Sequence, residues 1–221
     1  SAASDVYKRQ TRRGVPAKAA FPSSFSYGND AVETVSYDPE GAKKLLEESG
    51  WTDTDGDGYV DKDGQKLSIN WLTYPTRLEQ PKLAEYAQAT LKDIGIDVVV
   101  NNTSDHMTIA KNGDFDVYVS STTTAPTGDP EYFFTSTVTG AKNYGNYQNE
   151  EVTKLTDQLH QTFDKDERAK LAVELQQDIL DDDAFFFVSH LNMGIVTKSN
   201  VTGMAAHPCD YYEITADLDV E

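Results

Sequence analysis

Carboxylates alternate along one short segment, residues 53–61, which we call the acidic loop. The pattern is typical of calcium-binding loops, with carboxylates at positions 1, 3, 5 and 9: Asp53, Asp55, Asp57 and Asp61. A hard cation needs several oxygen ligands that converge on one turn, and alternate residues of a tight loop supply them. Gly58 fits position 6, but position 12 is Gly64 and not a bidentate Glu. The loop therefore predicts either a calcium site or a solvated acidic turn.

A second group of polar side chains lies in residues 121–133, which we call the threonine loop. It follows the predicted strand 115–120, and ligand crevices in open α/β sheets form outside the carboxyl ends of the strands. We therefore expect this loop to form one wall of a ligand site. Its candidate ligand-binding residues are Thr123, Thr124, Thr127, Asp129 and Tyr132. The alternative is an ordinary turn stabilised by threonine hydroxyl groups.

Arg77 is a further candidate, because it stands between a predicted strand and a predicted helix. A guanidinium group can bind a ligand carboxylate through two parallel hydrogen bonds. A surface ion pair with Glu79 is an equally good interpretation.

No sequence pattern indicates catalysis. The chain has no G-x-S-x-G, phosphate-binding G-x-x-x-x-G-K, G-x-G-x-x-G or H-E-x-x-H motif. Its histidines lack the close spacing of a zinc pair, and they stand at positions His106, His160, His190 and His207. We predict that the protein is not an enzyme and requires no cofactor.

The hydrophobic pattern predicts the elements that would position these residues. Strands are predicted at 67–72, 96–100 and 115–120, and helices at 39–49, 81–94 and up to Lys111. Strands that alternate with helices at this spacing predict an α/β lobe with a partly parallel sheet.

The second half of the chain predicts mainly helices. A short helix should follow Asp129-Pro130, and two longer helices, at 149–163 and 166–180, should form an antiparallel hairpin. Buried strands are predicted at 184–188 and 193–197, and an extended lead-in at 21–36.

Composition limits the classes of partner. The 221 residues include 37 acidic and 19 basic ones, a net charge of -18, so the surface repels phosphate backbones and nucleic acid is excluded as a partner. The charge indicates either solubility in an extracellular setting or a cationic solute. Residues 1–20 lack the apolar core of a signal sequence. Residues 1–10 match no expected pattern and are interpreted as a sequence-junction artefact.

The order of these pieces resembles a known family. The sequence runs YDPEGAKKLLEESGW, DTDGDGYVDKDGQKL, LAEYAQATLKDIGIDVVV, GDFDVYV, GDPEYFF, YGNYQNEEVTKLTDQL, DERAKLAVELQQDIL and AFFFVSH. Over residues 37–221 it resembles the C-terminal lobe of the oligopeptide-, dipeptide- and nickel-binding receptors of ABC importers.

The resemblance implies a periplasmic-binding-protein-like α/β fold, in which two lobes joined by a hinge trap the solute between them. Residues 37–190 would then be the second lobe, with a mixed sheet flanked by helices. Residues 1–36 would be a lead-in, and residues 191–221 would return to a first lobe that is missing here. The chain would be a fragment that binds solute weakly, because a closed state stabilised by solute needs both lobes.

The resemblance also implies a function. The chain would capture solute at the periplasmic or extracellular face of the membrane for ABC permease subunits, with a lipid anchor outside the chain. Nickel or a metal chelate is slightly favoured over peptides, because APTGDP is similar to a turn of the nickel receptors. Pro126 replaces the Asp that anchors a peptide amino group in the peptide receptors. A calcium-stabilised extracellular interaction module is the alternative from another class.

Overall fold

The computed structural model describes residues 14–192, 196–205 and 215–220. The strands are β1 Gly14–Pro16, β2 Asp61–Lys62, β3 Gln65–Lys66, β4 Ser68–Thr73, β5 Asp97–Asn102, β6 Val117–Tyr118, β7 Ser189–Leu191, β8 Val201–Thr202 and β9 Asp219–Val220. The helices are α1 Pro39–Glu48, α2 Glu79–Lys92, α3 His106–Asn112, α4 Glu131–Phe133, α5 Glu150–Gln161 and α6 Lys165–Asp181. A 3-10 turn, Asn29–Ala31, precedes α1, and a π-helical turn, Phe134–Val138, continues α4.

The chain divides into two compact units. The first unit contains Val35–Thr122 and Tyr144–Asn146, and the second contains residues 14–34, Thr123–Asn143 and the described residues from Tyr147 onward. The predicted division into residues 1–36, 37–190 and 191–221 refers to the lobes of a complete receptor, and it stays a prediction.

The first unit is built on a parallel sheet in the order β5-β4-β6. β4 and β5 pair over six residues, from Ser68 with Asp97 to Thr73 with Asn102. Leu72 and Val98 are buried between the sheet and its helices, and Ala84 of α2 is fully buried. The predicted α/β fold is confirmed, and all three described strands of this sheet are parallel because helices connect them.

Helix α1 begins and ends as the sequence predicts, but its apolar face is only partly covered. The side chain of Asp38 caps it by accepting a hydrogen bond from the Gly41 amide at 2.9 Å, and Gly50 follows its end with φ +85°. Its apolar residues Ala42, Leu45 and Leu46 are not buried, and Leu45 is 64% exposed. An amphipathic pattern predicts the direction of a face, but not how deeply neighbouring elements cover it.

The second unit has a helical core built by the α5–α6 hairpin. Asn149 and Asp164 cap these helices by accepting hydrogen bonds from first-turn amides. The largest fully buried side chains of this core are Phe21, Phe133, Phe134, Val138, Val152, Leu159, Leu175, Gln176 and Ile179. Phe163, the last residue of the predicted helix 149–163, lies beyond the end of α5 and is 90% exposed.

Two sequence predictions for the second unit are wrong. Residues 21–36 are not a plain lead-in, because Phe21 is fully buried and contacts Tyr27 edge-to-face. Residues 184–188 form no strand: Phe185 and Phe187 pack on the helical core, and the strand is β7, which pairs antiparallel with β1. Alternate aromatic rings of residues 184–188 pack on the core, although the segment pairs with no strand.

The end of the chain forms one further pair of short strands, β8 and β9. The predicted strand 193–197 lies largely outside the described residues, as do His207 and Cys209. Within the described parts of the chain, no helix has both the length and the apolar composition to cross a membrane.

Candidate functional site

The acidic loop brings three of its four carboxylates together. Ligand oxygens of Asp53, Asp55 and Asp61 all lie within 4.8 Å of one another. Asp53 accepts hydrogen bonds from the backbone amides of Gly56 and Gly58, at 2.7 and 3.0 Å. Asp61, the first residue of β2, accepts from the amide and hydroxyl of Thr54. These bonds orient the carboxylates of Asp53 and Asp61, and all three groups are close enough together for one hard cation to contact them.

Asp57 has a different partner. Its carboxylate lies 2.7 Å from the ammonium group of Lys66, a residue of β3. The hydrogen bond from Lys66, followed by one from the Tyr59 amide, lowers the pKa of Asp57. Three carboxylates therefore face one another, and the fourth forms a surface ion pair.

In the threonine loop, Asp129 forms a two-pronged ion pair with Arg168 of α6. Arg168 Nη2 donates to Asp129 Oδ1 at 2.6 Å, and Arg168 Nε donates to Oδ2 at 3.0 Å. The same guanidinium donates to Glu131 and to the carbonyls of Leu159 and Thr162. These hydrogen bonds, first of all the one to Asp129, raise the pKa of Arg168. Asp129 thus ties the loop to the α5–α6 hairpin.

Glu131 takes part in the same network. Its second oxygen lies 2.6 Å from His160 Nδ1. Burial raises the pKa of Glu131, but the hydrogen bonds and charges of His160 and Arg168 outweigh this effect and lower it. Two acidic residues of the loop are therefore engaged in interactions within the protein, an outcome that favours a structural role for this part of the loop.

The other predicted residues of the loop differ in exposure. Thr123 and Thr124 are half-buried, whereas Thr127 is exposed. Tyr132 is 39% exposed, and its hydroxyl accepts a hydrogen bond from Lys142 at 2.9 Å. Thr127 and Tyr132 are the exposed members of the five predicted residues in this loop.

Arg77 belongs to the first unit, whereas the other five predicted ligand-binding residues belong to the second. Its side chain is exposed, and its carbonyl accepts a hydrogen bond from the Gln80 amide at 3.1 Å. Among the described residues, no carboxylate forms an ion pair with Arg77. The suggested surface ion pair between Arg77 and Glu79 is therefore not formed.

Sequence reasoning missed a group of rings in the first unit, which we call the carboxyl-end cluster: Tyr74, His106, Tyr118 and Tyr144. Tyr74 directly follows β4, His106 begins the helix after β5, and Tyr118 ends β6. Because the three strands are parallel, these residues meet at the carboxyl edge of the sheet. This edge is where open α/β sheets bind ligands.

The cluster is held by stacking and hydrogen bonds. The His106 ring stacks on Tyr74 with centroids 4.1 Å apart and an interplanar angle of 18°. His106 Nδ1 lies 2.8 Å from the Tyr118 hydroxyl, which also donates to Met107 Sδ at 3.9 Å. Tyr118 contacts Tyr144 edge-on at 6.1 Å. Burial, aided by Tyr74 and Tyr144, raises the pKa of Tyr118 to about 12, so its hydroxyl keeps its proton.

Backbone and side-chain contacts of the first unit also fix the chain that leaves β6. The Tyr74 hydroxyl accepts a hydrogen bond from the Ser121 amide at 3.1 Å. The buried Gln80 side chain of α2 lies 2.7 Å from the Val119 carbonyl and 2.8 Å from the Ser121 hydroxyl. A partial signal for the cluster was present in the sequence, since Tyr74 and His106 come after the predicted strands 67–72 and 96–100, and Tyr118 lies in the second half of the predicted strand 115–120.

His190 has a structural environment. It lies on β7, with Nε2 3.1 Å from the Asn29 side chain, and burial lowers its pKa. It belongs to the second unit and is not part of the carboxyl-end cluster.

Residues 6–145 match the family model of bacterial extracellular solute-binding proteins, family 5, middle region. The chain is 30% identical over 200 residues to the oligopeptide-binding protein AppA of Bacillus subtilis, and 26% identical over 201 residues to the nickel-binding periplasmic protein of Escherichia coli. These alignments cover 87% of this chain in both cases, but only 37% and 38% of the two relatives.

Solved structures agree with this assignment. AppA of Bacillus subtilis in complex with a nonapeptide superposes with a TM-score of 0.80 at 25% identity, over 95% of this chain and 43% of that one. NikA of Staphylococcus aureus in complex with Ni(L-His)2 gives a TM-score of 0.74 at 25% identity, with the same coverage. The chain belongs to the family 5 extracellular solute-binding proteins. The relatives described above are named as binding proteins and not as enzymes.

Proposed function

We propose that this chain provides one solute-contacting surface of a receptor for an ABC importer, and that the carboxyl-end cluster is that surface. The observation that supports this proposal most directly is the convergence of Tyr74, His106 and Tyr118 at the carboxyl edge of a parallel sheet. Aromatic groups with a few placed polar atoms are typical of small-molecule sites. The cluster offers ring faces, a phenol hydroxyl and an imidazole on elements of regular structure.

Nickel or another chelated metal is the solute class that we favour, and peptides are the second candidate. An imidazole at the carboxyl edge and the net charge of -18 both suit a cationic metal complex. The nonapeptide complex of AppA keeps the peptide alternative open. We expect the receptor to act at the periplasmic or extracellular face of the membrane, with permease subunits as its partners.

The proposal is tested by nuclear magnetic resonance of the ring carbons and protons of Tyr and His in the 221-residue chain. A nickel(II)–L-histidine complex and a synthetic nonapeptide are added separately, up to millimolar concentration, because an isolated surface binds weakly. We expect one of the two solutes to shift or broaden signals of Tyr118 and Tyr144. Tyr37, a 58% exposed tyrosine of the same unit, is the internal control.

Equal changes at Tyr37 and at the carboxyl-end cluster, or none at either, would contradict the proposed surface. A response to the nickel complex alone supports the metal class, and a response to the nonapeptide alone supports the peptide class. The calcium site in the acidic loop remains a separate proposal, for a cation that stabilises the fold and is not transported.

A further inference from the structure

We propose that Gln80 of α2 is a positioning residue for the carboxyl-end cluster, and that its side-chain amide takes the place of a neighbouring strand beside residues 119–121. This inference rests on the proposed function, because the cluster is taken as the solute-contacting surface. Gln80 is not itself a solute contact, since it is only 2% exposed. It acts through the backbone that leaves β6.

The need for such a residue arises where β4 ends. The Val119 amide donates to the Leu72 carbonyl at 3.0 Å, so the backbone groups of Val119 face β4. Alternate residues of an extended chain face the same neighbour, and the Ser121 amide therefore points to the same side. β4 ends at Thr73, so the Val119 carbonyl and the Ser121 amide need hydrogen-bond partners from elsewhere.

The Gln80 amide supplies partners for both groups. Its Nε2 lies 2.7 Å from the Val119 carbonyl, and its Oε1 lies 3.1 Å from the Ser121 amide and 2.8 Å from the Ser121 hydroxyl. This orientation pairs each donor with an acceptor, whereas the reverse orientation would bring two carbonyl oxygens together. Because a primary amide carries the same kinds of donor and acceptor as a peptide group, Gln80 reproduces the bonds that a longer β4 would make.

The same hydrogen bonds reach the cluster from two sides. The Ser121 amide also donates to the Tyr74 hydroxyl at 3.1 Å, and the Tyr74 ring stacks on the histidine of the cluster. The carbonyl that accepts from Gln80 belongs to the residue that directly follows Tyr118. Gln80 therefore holds both parts of the cluster in place before solute arrives, and a preorganised surface loses less freedom on binding.

Two substitutions separate hydrogen bonding from shape. Q80L fills a similar volume but leaves the Val119 carbonyl and the Ser121 amide without this partner. Q80E keeps the shape almost unchanged: its carboxylate accepts from Ser121 but cannot donate to Val119, whereas its protonated form can do both. Burial raises the pKa of a carboxyl group, so Q80E should regain the lost donor as the pH is lowered from about 7.5 to about 5.

The experiment records the ring signals of Tyr74 and Tyr118 by nuclear magnetic resonance in the 221-residue chain and in each variant. A nickel(II)–L-histidine complex and a synthetic nonapeptide, added separately, are the probes of binding. We expect Q80L to displace the ring signals even without a probe, and to weaken the binding of whichever probe binds by about tenfold. Q80E should show the same weakening at about pH 7.5 and recover most of it at about pH 5, relative to the original chain at the same pH.

Q88L is the matched control. Gln88 lies on the same helix, and its Nε2 donates to the Val98 carbonyl of β5 at 2.6 Å. The substitution therefore removes a hydrogen bond of the same kind, but not one to residues 119–121. We expect Q88L to leave the ring signals of Tyr74 and Tyr118, and the binding of either probe, unchanged. Far-UV circular dichroism and urea midpoints show whether each variant is folded.

Unchanged ring signals and unchanged probe binding in a folded Q80L would overturn the inference, as would a Q80E variant that recovers nothing at the lower pH. If Q80L does not fold, Q80E decides alone: recovery at the lower pH supports the inference, and its absence overturns it. If neither probe affects the cluster of the original chain, the proposed function fails, and the ring signals test the positioning role by themselves. Displaced signals in Q80L but not in Q88L then support that role, and equal signals in both variants refute it.

Discussion

Arg168 should be the most important single charged residue for the stability of the second unit. Its side chain is 13% exposed, and its guanidinium donates to two carboxylates and two carbonyls at 2.6 to 3.0 Å. We consider R168M, which keeps an apolar side chain in place of the aliphatic stem but removes every donor. The variant leaves Asp129 and Glu131 as neighbouring negative charges without their common cation.

The expected loss follows from burial. Removing one partner of a fully buried ion pair costs about 3–5 kcal/mol, because the other charge stays buried. Here the side chains of Asp129 and Glu131 are 40% and 26% exposed, so water compensates for part of the loss. We expect R168M to lower the free energy of unfolding by about 2–3 kcal/mol. For a chain of this size, the melting temperature should fall by about 4–12 °C.

Urea unfolding followed by far-UV circular dichroism measures this change. K170M is the matched control, since Lys170 is exposed on the same helix and the substitution removes the same charge. We expect K170M to change the free energy of unfolding by no more than about 0.5 kcal/mol. If R168M is no more destabilised than K170M, the reasoning about this network is refuted.

Three further predictions concern other charged groups. If the acidic loop binds calcium, calcium at about ten times its Kd should stabilise the chain by about 1.4 kcal/mol in thermal unfolding. D53N should abolish this gain in stability. D57N removes the ion pair with Lys66 and should retain the gain. Burial and the like charges of neighbouring acidic residues raise the pKa of Asp178, so D178N should stabilise the chain by about 0.5 kcal/mol at neutral pH, whereas D166N, in the first turn of the same helix, should destabilise it. Folding lowers the pKa of Glu131, so its carboxylate stabilises the chain above the ordinary pKa of 4.5, and this stabilisation is lost as the pH falls through the lower folded pKa. The free energy of unfolding should therefore depend less on pH in the acid range for E131Q than for the original chain. An unchanged pH profile in E131Q would contradict the role of this network.

The elements could be predicted where the signal is local. The ends of α1 agree with the predicted helix 39–49: Asp38 caps its first turn, and Gly50 follows its end with a positive φ. Such ends can be predicted because capping depends on a few neighbouring residues. The predicted strand at 184–188 was wrong because a short apolar run suits a strand and an irregular core segment equally well. Only the position of the helical hairpin decides between them, and this is a tertiary property.

The candidate sites show the same distinction. The acidic loop could be predicted because all of its carboxylates come from nine consecutive positions. The threonine loop was placed correctly after a strand, but the partner that engages Asp129 is Arg168, which lies on a helix far along the chain. Sequence spacing does not show that a carboxylate is already satisfied, so a polar loop residue is easily taken for a ligand contact.

The carboxyl-end cluster needed one step beyond the predicted elements. Tyr74, His106 and Tyr118 are far apart in sequence, and each is unremarkable alone. They meet because β4 lies between β5 and β6, with all three strands running in the same direction. Once helices are predicted between three strands, a parallel sheet follows, and the residues that end or follow the strands must share one edge. Reading those residues as one set would have singled out His106 before its spacing to any other histidine was considered.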